Sequence, residues 1–320
     1  MAVQHAFILG AGLGTRLRPL TDHLPKPLVP LFHRPLAAWA MDSCVAAGIR
    51  HFAVNTHHLP ETWRGFGSAP TVCPPAIVGA NGQPALVRDW GGCALSLFHE
   101  PILLETGGGL KNIAEWLGDD ALLVHNGDIF TTLPLSQLIA AHQASGRPVT
   151  LALRSVGHAN HIALDPSMTR VTDIHQRLNH AVGTHVFSGI YCVNPSFLTM
   201  LPAMQKVSVI PAFLDLAERG ELGAVVLDDG HWLDLGDRAS YLLAHRTLHL
   251  APAIHPLARI EPGAIIENTV VGPACVIGSG AIVRDSVLWT GSRIARDAVL
   301  DECIVCSGHA VSGAHQRADL

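Results

Sequence analysis

At 320 residues, the chain is long enough for two domains, or for one large domain with an appendage. Hydrophobic residues make up 48% of it and charged residues 15%, a balance typical of folded soluble proteins. The formal net charge of −5 provides no basic surface field, which argues against a nucleic-acid partner. No stretch reaches the ~18 consecutive apolar residues of a membrane helix, so no membrane partner is expected.

The cysteines favour a reducing compartment. There are seven, an odd number, and Cys303 and Cys306 share a CxxC spacing that alone does not make a zinc site. The first apolar run is short, lacks a basic leader and ends in glycines, which argues against a signal peptide. We therefore expect a cytoplasmic protein with free thiols.

The first 250 residues alternate short apolar segments with helical patterns. The helical patterns lie at Pro35–Gly48, Gly109–Leu117 and Leu135–Ser145. This alternation indicates a largely parallel sheet covered by helices, so residues 1–250 are predicted to form one α/β domain. The predicted strands are AFIL, HFAVNT, ALSLF, ALLVHNGD, VTLALR, FSGIYCV and GAVVLDD.

The segment Gly65–Gly92 has a different composition from the rest of this region. It is rich in glycine and proline and has no clear period. We expect a long surface excursion here, and a lid over a ligand is one interpretation.

After residue 250, apolar residues recur every five or six positions, separated by small residues, Gly, Pro and Asp. A six-residue period is typical of a parallel β-helix, in which each hexapeptide sends one side chain inward. The tail resembles the left-handed hexapeptide-repeat family, so residues 251–320 are predicted to form a left-handed parallel β-helix. The expected inward residues are Ile254, Ile260, Ile266, Val271, Ile277, Val283, Trp289, Ile294, Leu300 and Cys306.

The segment GAGLGTRLRPLTDHLPKP (Gly10–Pro27) joins a glycine-rich turn to a proline-rich run. A dinucleotide-binding site is one interpretation, but Thr15 occupies the place of its third glycine. Such a site also opens into a helix, and each interior proline costs a helix ~3 kcal/mol. A Walker loop is excluded because Gly-Lys-Ser/Thr is absent. What remains is an extended loop with exposed glycine amides, in which Arg16 and Lys26 can neutralise phosphates.

The longer run LGAGLGTRLRPLTDHLPKPLVPLFHRPL resembles the signature of the sugar-1-phosphate nucleotidyltransferases, or NDP-sugar pyrophosphorylases. VNTHHL (Val54–Leu59) and LETGGGLKNIAEWL (Leu104–Leu117) resemble the branch with N-acetylmuramate-1-phosphate uridylyltransferases and mannose-1-phosphate guanylyltransferase-like enzymes. The resemblance covers residues 5 to about 246 and, as a repeat tail, about 253 to 312. It implies a Rossmann-like nucleotidyltransferase domain with a mixed, mostly parallel sheet.

The resemblance also implies a reaction, the transfer of a nucleotidyl group from an NTP to a sugar 1-phosphate with release of pyrophosphate. Asp128 in HNGDIF and Asp234 in HWLDLGD match the family's Mg²⁺ ligands, and Asp128 follows a strand, where ligands of open α/β sheets bind. Arg16 would hold the departing pyrophosphate, and Lys26 the α-phosphate or the sugar phosphate. The neighbouring Asp237 is expected to be solvated or to cap a helix.

Two sets of binding residues follow from the same resemblance. ETGGG (Glu105–Gly109) is expected under the base, because glycines permit close backbone approach. The nucleotide-binding residues are Gly10, Ala11, Gly12, Gly14, Thr15, Arg16, Asn55, Glu105, Thr106, Gly107 and Gly108. The residues expected at the sugar phosphate are Lys26, Asn126, Gln176, Arg177, Ser188 and Gly189.

One position departs from the family pattern. Many relatives have Glu-Lys-Pro ahead of a Thr-Gly pair, where this chain has Gln176, Arg177 and Leu178. A negative charge is thereby lost beside the sugar, unless Gln176 simply faces solvent. The lost charge and LETGGG favour UTP and N-acetylmuramate 1-phosphate, with GTP and mannose 1-phosphate as the alternative.

Two other functional classes remain open. A regulatory protein that binds nucleotide sugars without turnover would not need the whole set Arg16, Lys26, Asp128 and Asp234. An acyltransferase tail could use histidines as bases, but its few repeats carry no long inserted loop. We expect the tail to support a homo-oligomer. The tail histidines considered as bases are His255, His309 and His315.

Overall fold

The computed structural model describes residues 2–70, 76–157 and 159–320. Up to residue 250, the helices are α1 (Leu36–Ala46), α2 (Glu105–Asn112), α3 (Ala114–Leu117), α4 (Leu135–Ser145), α5 (Pro195–Thr199), α6 (Ile210–Glu218) and α7 (Arg238–Thr247). The strands are β1 (Val3–Leu9), β2 (Pro30–Leu31), β3 (Arg34–Pro35), β4 (His51–Thr56), β5 (Leu86–Trp90), β6 (Cys93–His99), β7 (Ala121–Asn126), β8 (Ile129–Thr131), β9 (Val149–Arg154), β10 (Ile162–Leu164), β11 (Val171–Ile174), β12 (Val186–Val193), β13 (Leu222–Val226) and β14 (Trp232–Asp234).

The chain packs into two compact units. The first unit contains the chain up to Leu13 together with Ala37–Trp232, and the second contains Gly14–Leu36 and Leu233–Leu320. A domain boundary at residue 250 stays a prediction, and the packing groups the residues differently. The proline-rich run and α7 belong to the same unit as the tail.

The first unit is built on a mixed sheet with the strand order β13-β9-β12-β7-β1-β4-β6-β5. β1 pairs in parallel with β4 and β7, β4 with β6, and β9 with β13. β12 is antiparallel to both of its neighbours, and β5 is antiparallel to β6. On one face, Phe7 and Phe98 pack with Leu110 of α2 and Phe213 of α6 in a continuous core. The predicted α/β architecture with a mostly parallel sheet is confirmed.

Two local expectations differ from the structure. The segment Gly65–Gly92 includes an edge strand, Leu86–Trp90, while residues 71–75 lie outside the described part of the chain. The helix expected from Gly109 begins earlier, at Glu105, because its three glycines lie within the helix instead of before it. It is interrupted at Ile113, after which α3 begins.

The register aligns the carboxyl ends of the central strands. Leu9 lies opposite Asn126 on β7, and Thr56 lies opposite His99 on β6. The loops that follow these strands therefore emerge at one edge of the sheet, which is where open α/β sheets bind ligands.

The tail in the second unit has three parallel ladders. Their strands are β15 (Arg259–Ile260), β16 (Ile265–Glu267), β17 (Val270–Val271), β18 (Val276–Ile277), β19 (Ile282–Arg284), β20 (Val287–Leu288), β21 (Arg293–Ile294), β22 (Val299–Asp301), β23 (Ile304–Val305), β24 (Ala310–Val311) and β25 (Ala314–Gln316). The ladders are β15-β18-β21-β24, β16-β19-β22-β25 and β17-β20-β23. This confirms the predicted β-helix.

The expected inward residues are corrected at four places. Ile254 and Ile260, at the start of the tail, are exposed rather than inward. Leu288 and Val305, not Trp289 and Cys306, join Val271 in the β-helix core. They do so because each is paired with the residue one coil earlier, Val271 with Leu288 and Leu288 with Val305. One side of each coil is thus one residue shorter than a hexapeptide, which explains the spacings of five.

Helix α7 holds the proline-rich run inside the second unit. The indole N–H of Trp289 donates to the Tyr241 hydroxyl at 2.9 Å, and that hydroxyl donates to the carbonyl of Pro30. One turn later, His245 Nε2 accepts the backbone N–H of Phe32 at 2.9 Å. Burial lowers the pKa of His245 to about 4, which keeps the ring neutral and able to accept.

No helix in the described part of the chain is both long and apolar enough to cross a membrane. The six described cysteines are free and buried.

The register between coils predicts different effects on stability for inward and outward positions of the β-helix. Leu288→Ala should lower the free energy of unfolding by about 2–5 kcal/mol, because it empties a buried position in the β-helix core. The matched variant Val299→Ala removes an outward side chain that is 37% exposed and should change it by no more than about 0.5 kcal/mol. Urea denaturation followed by circular dichroism measures both. Equal losses would contradict the assigned register.

Candidate active site

The loop after β1 starts at a position that admits only glycine. A Cβ at Gly10 would lie 2.6 Å from the carbonyl oxygen of Asn55 and 3.1 Å from the ring of Trp63. The backbone N–H of Gly10 donates to Asn55 Oδ1 at 2.8 Å. Ala11 is buried, whereas Gly12 is exposed and a Cβ there would meet nothing within 4 Å. The loop is thus fixed at its root and open at Gly12.

Glu100 is the residue of this site that the sequence analysis missed. Its fully buried carboxylate accepts Asn55 Nδ2 at 2.8 Å and the backbone N–H of Leu104 at 3.0 Å. Burial raises the pKa of Glu100, and the two hydrogen bonds oppose this effect. Asn55, assigned to the nucleotide, uses both ends of its amide within the protein. A carboxylate two residues after the predicted strand ALSLF was the available signal.

The ETGGG segment packs against the protein's own backbone. The N–H groups of Gly107 and Gly108 donate to the carbonyl of Val207 at 2.8 and 3.2 Å. A Cβ at Gly108 would lie 2.3 Å from the Gln205 carbonyl oxygen. Thr106 Oγ1 accepts the N–H of Val209 at 3.0 Å, at the start of α6. The close approach that these glycines permit is therefore to residues 205–208, and Glu105 is the exposed residue of the segment.

The loop after β7 carries Asp128, which is half-buried. Beneath it, His125 is fully buried, and burial lowers its pKa to about 4 although the Asp128 charge acts to raise it. Gly189 has a φ of +75° and lies so close to Asn126 that a Cβ would be 2.6 Å from its amide nitrogen. The Ser188 hydroxyl is buried and donates to the Ala152 carbonyl at 2.7 Å, so it is engaged in the sheet.

Gln176 and Arg177 lie in an exposed turn after β11. The turn is held by the buried Asp173 carboxylate, which accepts the N–H groups of Leu178 at 3.1 Å and His180 at 3.0 Å. Burial acts to raise the pKa of Asp173, but these bonds outweigh it and the pKa is lowered. The side chain of Gln176 is therefore presented on an anchored but exposed turn.

In the second unit, Gly14 and its neighbours form a short 3₁₀ turn, Thr15–Leu17. Gly14 has a φ of +62°, and a Cβ would lie 2.8 Å from Thr21 Cγ2 and 3.0 Å from Lys26 Cβ. The Thr21 hydroxyl donates to the Gly14 carbonyl at 2.9 Å. Thr15 and Arg16 are exposed. The backbone of Gly14 therefore lies directly against the residue that presents Lys26.

Lys26 and Asp234, far apart in the chain, meet in this unit. The Lys26 side chain is only 7% exposed, and its Nζ lies 3.7 Å from Oδ1 of Asp234, whose side chain is 46% exposed. Gly236 leaves room for the guanidinium of Arg16, since a Cβ there would be 2.7 Å from an Arg16 nitrogen. Asp237 caps α7 by accepting the N–H of Ser240 at 2.9 Å, as the capping interpretation predicts.

The predicted site residues thus form two groups. In the first unit, Gly10, Asn55 and the 104–108 segment are joined through Glu100, and Asn126 lies against Gly189. In the second unit, Lys26 is paired with Asp234, and Arg16 lies over Gly236. In each group a buried charged residue, Glu100 or Lys26, is held by a hydrogen bond or an ion pair. Exposed polar residues lie beside it.

A nucleotidyl transferase family model matches residues 5–250, and a GMPPB C-terminal domain model matches residues 251–316. The chain belongs to the nucleotidyl transferase family.

Curated relatives resemble most of the chain. A mannose-1-phosphate guanylyltransferase from Mycobacterium tuberculosis is 28% identical over 317 residues, covering 92% of this chain and 82% of the relative. The mannose-1-phosphate guanylyltransferase catalytic subunit beta of Danio rerio is 27% identical over 282 residues, covering 85% and 72%. Among solved structures, a UDP-glucose pyrophosphorylase from Acinetobacter baumanii superposes with a TM-score of 0.62 at 17% identity, covering 76% of this chain and 92% of that one. That likeness concerns the fold.

We expect the close packing of the backbone against Lys26 and Thr21 to require glycine at position 14. Gly14→Ala is expected to lower the free energy of unfolding by about 1–3 kcal/mol, because the position combines a positive φ with close contacts. The matched variant Gly12→Ala adds a methyl group to open space and should change it by no more than about 0.5 kcal/mol. Urea denaturation compares the two. Similar losses would contradict the packing described at Gly14.

Glu100 should impose a pH dependence on stability. Because its folded pKa lies above the ordinary value of 4.5, its contribution is fully present below about pH 4.5 and is lost as pH rises through the folded pKa. The wild type should therefore lose stability relative to Glu100→Gln as pH rises from about 4.5 towards neutrality, by urea denaturation at each pH. Glu115→Gln, on the exposed surface, should run parallel to wild type. A wild type that gains stability relative to Glu100→Gln as pH rises would have the wrong sign for this interpretation.

Proposed function

We propose that this protein transfers a guanylyl group from GTP to mannose 1-phosphate and releases pyrophosphate. The names of the relatives support guanylyl and mannose transfer, the alternative of the sequence analysis, over the UTP and N-acetylmuramate preference. One basis of that preference is also weaker, because Gly107 and Gly108 of ETGGG pack against residues 205–208 of the protein itself.

The observation that carries the proposal is the Lys26–Asp234 pair. A lysine that is almost fully buried keeps its charge at a cost unless an anion lies close, and Asp234 supplies that anion while remaining half exposed. Arg16 lies in the same unit, over Gly236. Two cations and a carboxylate in this arrangement suit a substrate that brings several phosphate charges.

The proposed chemistry is positioning with charge neutralisation. A phosphate oxygen of the sugar 1-phosphate forms a bond to the α-phosphorus of the NTP, and the bond from that phosphorus to the β-bridging oxygen breaks. The bonding electrons leave with pyrophosphate. Lys26 holds the α-phosphate or the incoming sugar phosphate, and Arg16 neutralises the departing pyrophosphate. The amides around Gly12 and the exposed Thr15 face the phosphates.

The proposed cofactor is Mg²⁺, held by Asp128 and Asp234. Their fit rests on chemistry: both are carboxylates with exposed surface, and Mg²⁺ takes few protein oxygens because it keeps several waters. When bound, the ion would neutralise phosphate charge and orient the α-phosphate. His125, kept neutral by burial, adds no charge that would compete beneath Asp128.

The remaining residues have supporting roles in the proposal. Gln176 and Arg177, on the exposed turn, are the residues proposed to meet the sugar and its phosphate. Asn126, Ser188 and Gly189 shape the adjacent strand ends, with Ser188 acting through the backbone because its hydroxyl is engaged. Asn55 positions Gly10. Glu105 and Thr106 are proposed to define the nucleotide side together with Gly10–Gly14.

The tail is proposed to support a homo-oligomer in the cytoplasm. Parallel β-helix coils leave flat faces and unpaired end strands that favour self-association. Analytical ultracentrifugation of the full chain tests this, and a monomer at all concentrations would exclude it.

The function is tested by a pyrophosphate-release assay that crosses GTP and UTP with mannose, glucose and N-acetylmuramate 1-phosphates. We expect the highest kcat/KM for GTP with mannose 1-phosphate, and loss of turnover in EDTA. Lys26→Met should lower kcat/KM by about 10²–10³-fold, because it removes a charge that stabilises the transition state.

The matched control is Arg259→Met, which removes an exposed charge on the β-helix and should leave kcat/KM unchanged. Preference for UTP with N-acetylmuramate 1-phosphate would restore the other substrate assignment. Turnover that survives both EDTA and Lys26→Met would exclude the proposed mechanism.

A further inference from the structure

Three histidine rings in the second unit hold the proline-rich run at Phe32 and His33. The His245 ring of α7 stacks on Phe32, with the ring centroids 5.4 Å apart. His33 packs edge-to-face against His255, at the start of the tail, with the centroids 5.0 Å apart. The carbonyl of Pro252 accepts the Nε2–H of His33 at 2.8 Å. We name the rings of His33, His245 and His255 the histidine cluster.

Hydrogen bonds fix the protonation state of His245. Its Nδ1 lies 2.9 Å from the carbonyl oxygen of Tyr241, and since a carbonyl only accepts, the proton of the neutral ring is on Nδ1. Nε2 is then unprotonated and accepts the backbone N–H of Phe32 at 2.9 Å. A second proton on Nε2 turns this acceptor into a donor, so the charged ring cannot bind Phe32.

The other two rings of the cluster are also bound in their neutral forms. His33 donates from Nε2, so its second proton goes on Nδ1, which is buried and has no hydrogen-bond partner among the described residues. His255 Nδ1 accepts the backbone N–H of Leu257 at 3.1 Å, which it can do only while unprotonated. Protonating any ring of the cluster therefore breaks a hydrogen bond or buries an unpaired N–H.

The ionisable groups beside the cluster do not offset a positive charge. Tyr241 packs against His245 from the same helix, and burial raises the pKa of its phenol, which stays neutral. Arg34 follows His33 in the run. Burial lowers the pKa of His33, and the neighbouring His255 acts in the same direction. Burial also lowers the pKa of His245, and here His33 adds to the effect.

We propose that the histidine cluster is a proton-operated latch, which holds the proline-rich run at neutral pH and releases it in acid. The residues that it holds, Phe32 and His33, form the turn of the β2–β3 hairpin. Lys26 lies just before this hairpin, and its carbonyl accepts the N–H of Val29 at 3.1 Å. Opening of the latch loosens the segment that presents Lys26. A loss of turnover on opening rests on the proposed function, whereas the opening itself does not.

The pH dependence of the latch has a defined sign and size. Because the folded pKa of His245 is lowered, its contribution is fully present above about pH 6.5 and is lost as pH falls through about 4. A ring whose pKa is about 4 when latched and about 6.5 when released favours opening about 30-fold at pH 5 relative to neutral pH. The lowered pKa of His33 acts in the same direction.

Hydrogen–deuterium exchange of the full chain, without substrates, tests the latch. Each measured rate is divided by the intrinsic exchange rate at the same pH. Protection of the peptide that contains the Phe32 N–H should fall about 30-fold or more from pH 7.5 to pH 5. Protection of β20 and β21 in the tail should not fall with it.

A variant without the three titrating rings provides the comparison. His33→Gln with His245→Gln and His255→Asn keeps a side-chain amide near each ring donor or acceptor but cannot be protonated. Its protection at the Phe32 peptide should change by less than about threefold over the same pH range. The matched control His315→Gln replaces a tail histidine that binds the Ser312 carbonyl, and it should behave like wild type.

Three results would overturn the proposal. They are protection of the Phe32 peptide that does not depend on pH, an equal loss in wild type and the triple variant, and a parallel loss in β20 and β21, which would indicate unfolding of the whole tail. If the triple variant does not fold at pH 7.5, the single variant His245→Gln is measured, and a loss as large as that of wild type would also overturn the proposal. Opening in acid by a chain that transfers no nucleotidyl group would leave the latch standing and exclude only the proposed function.

Discussion

The hydrogen-bonded anchoring of the proline-rich run is the constraint on which the candidate site in the second unit depends. Residues 14–35 contain only short 3₁₀ turns and a hairpin of two two-residue strands, so they cannot fix their own position. Tyr241 and His245, one turn apart on α7, bind this run at Pro30 and Phe32. Both side chains are fully buried, and burial raises the pKa of the Tyr241 phenol and lowers that of His245. Neither group therefore changes charge near neutral pH, which makes the anchoring insensitive to physiological pH.

In the first unit, one buried carboxylate holds the candidate-site loops in place. Glu100 joins Asn55, which holds Gly10, to Leu104, which precedes the ETGGG segment. Breaking one of these bonds would leave a buried polar group unpaired, so the network is stable only when complete. Because this network fixes the loop at Gly10, the exposed backbone at Gly12 is not needed to hold the loop in place. The same separation occurs at Lys26, where a buried cation is matched to a half-exposed anion.

The sequence predicted the parts of the fold that depend on local pattern. β9 and α4 match the predicted segments residue for residue, because their apolar patterns are bounded by clear turn signals. Strand direction was not predictable in the same way, and β12 runs antiparallel because direction depends on distant connections. In the tail, two adjacent apolar residues compete for one inward place, and only the register between coils selects Leu288 over Trp289. Glu100 was missed because its role depends on the alignment of three strand ends.

Trp289 of the β-helix donates to the same Tyr241 hydroxyl that binds Pro30, and Arg238 at the start of α7 binds Asp319 near the chain end. The run that presents Arg16 and Lys26 thus shares its supports with residues that a domain diagram would assign to a separate module. Inherited substitutions in the last seventy residues are therefore candidates for kinetic defects as well as for assembly defects. In this protein the segment marked by sequence repeats is smaller than the compact unit that supports Arg16 and Lys26.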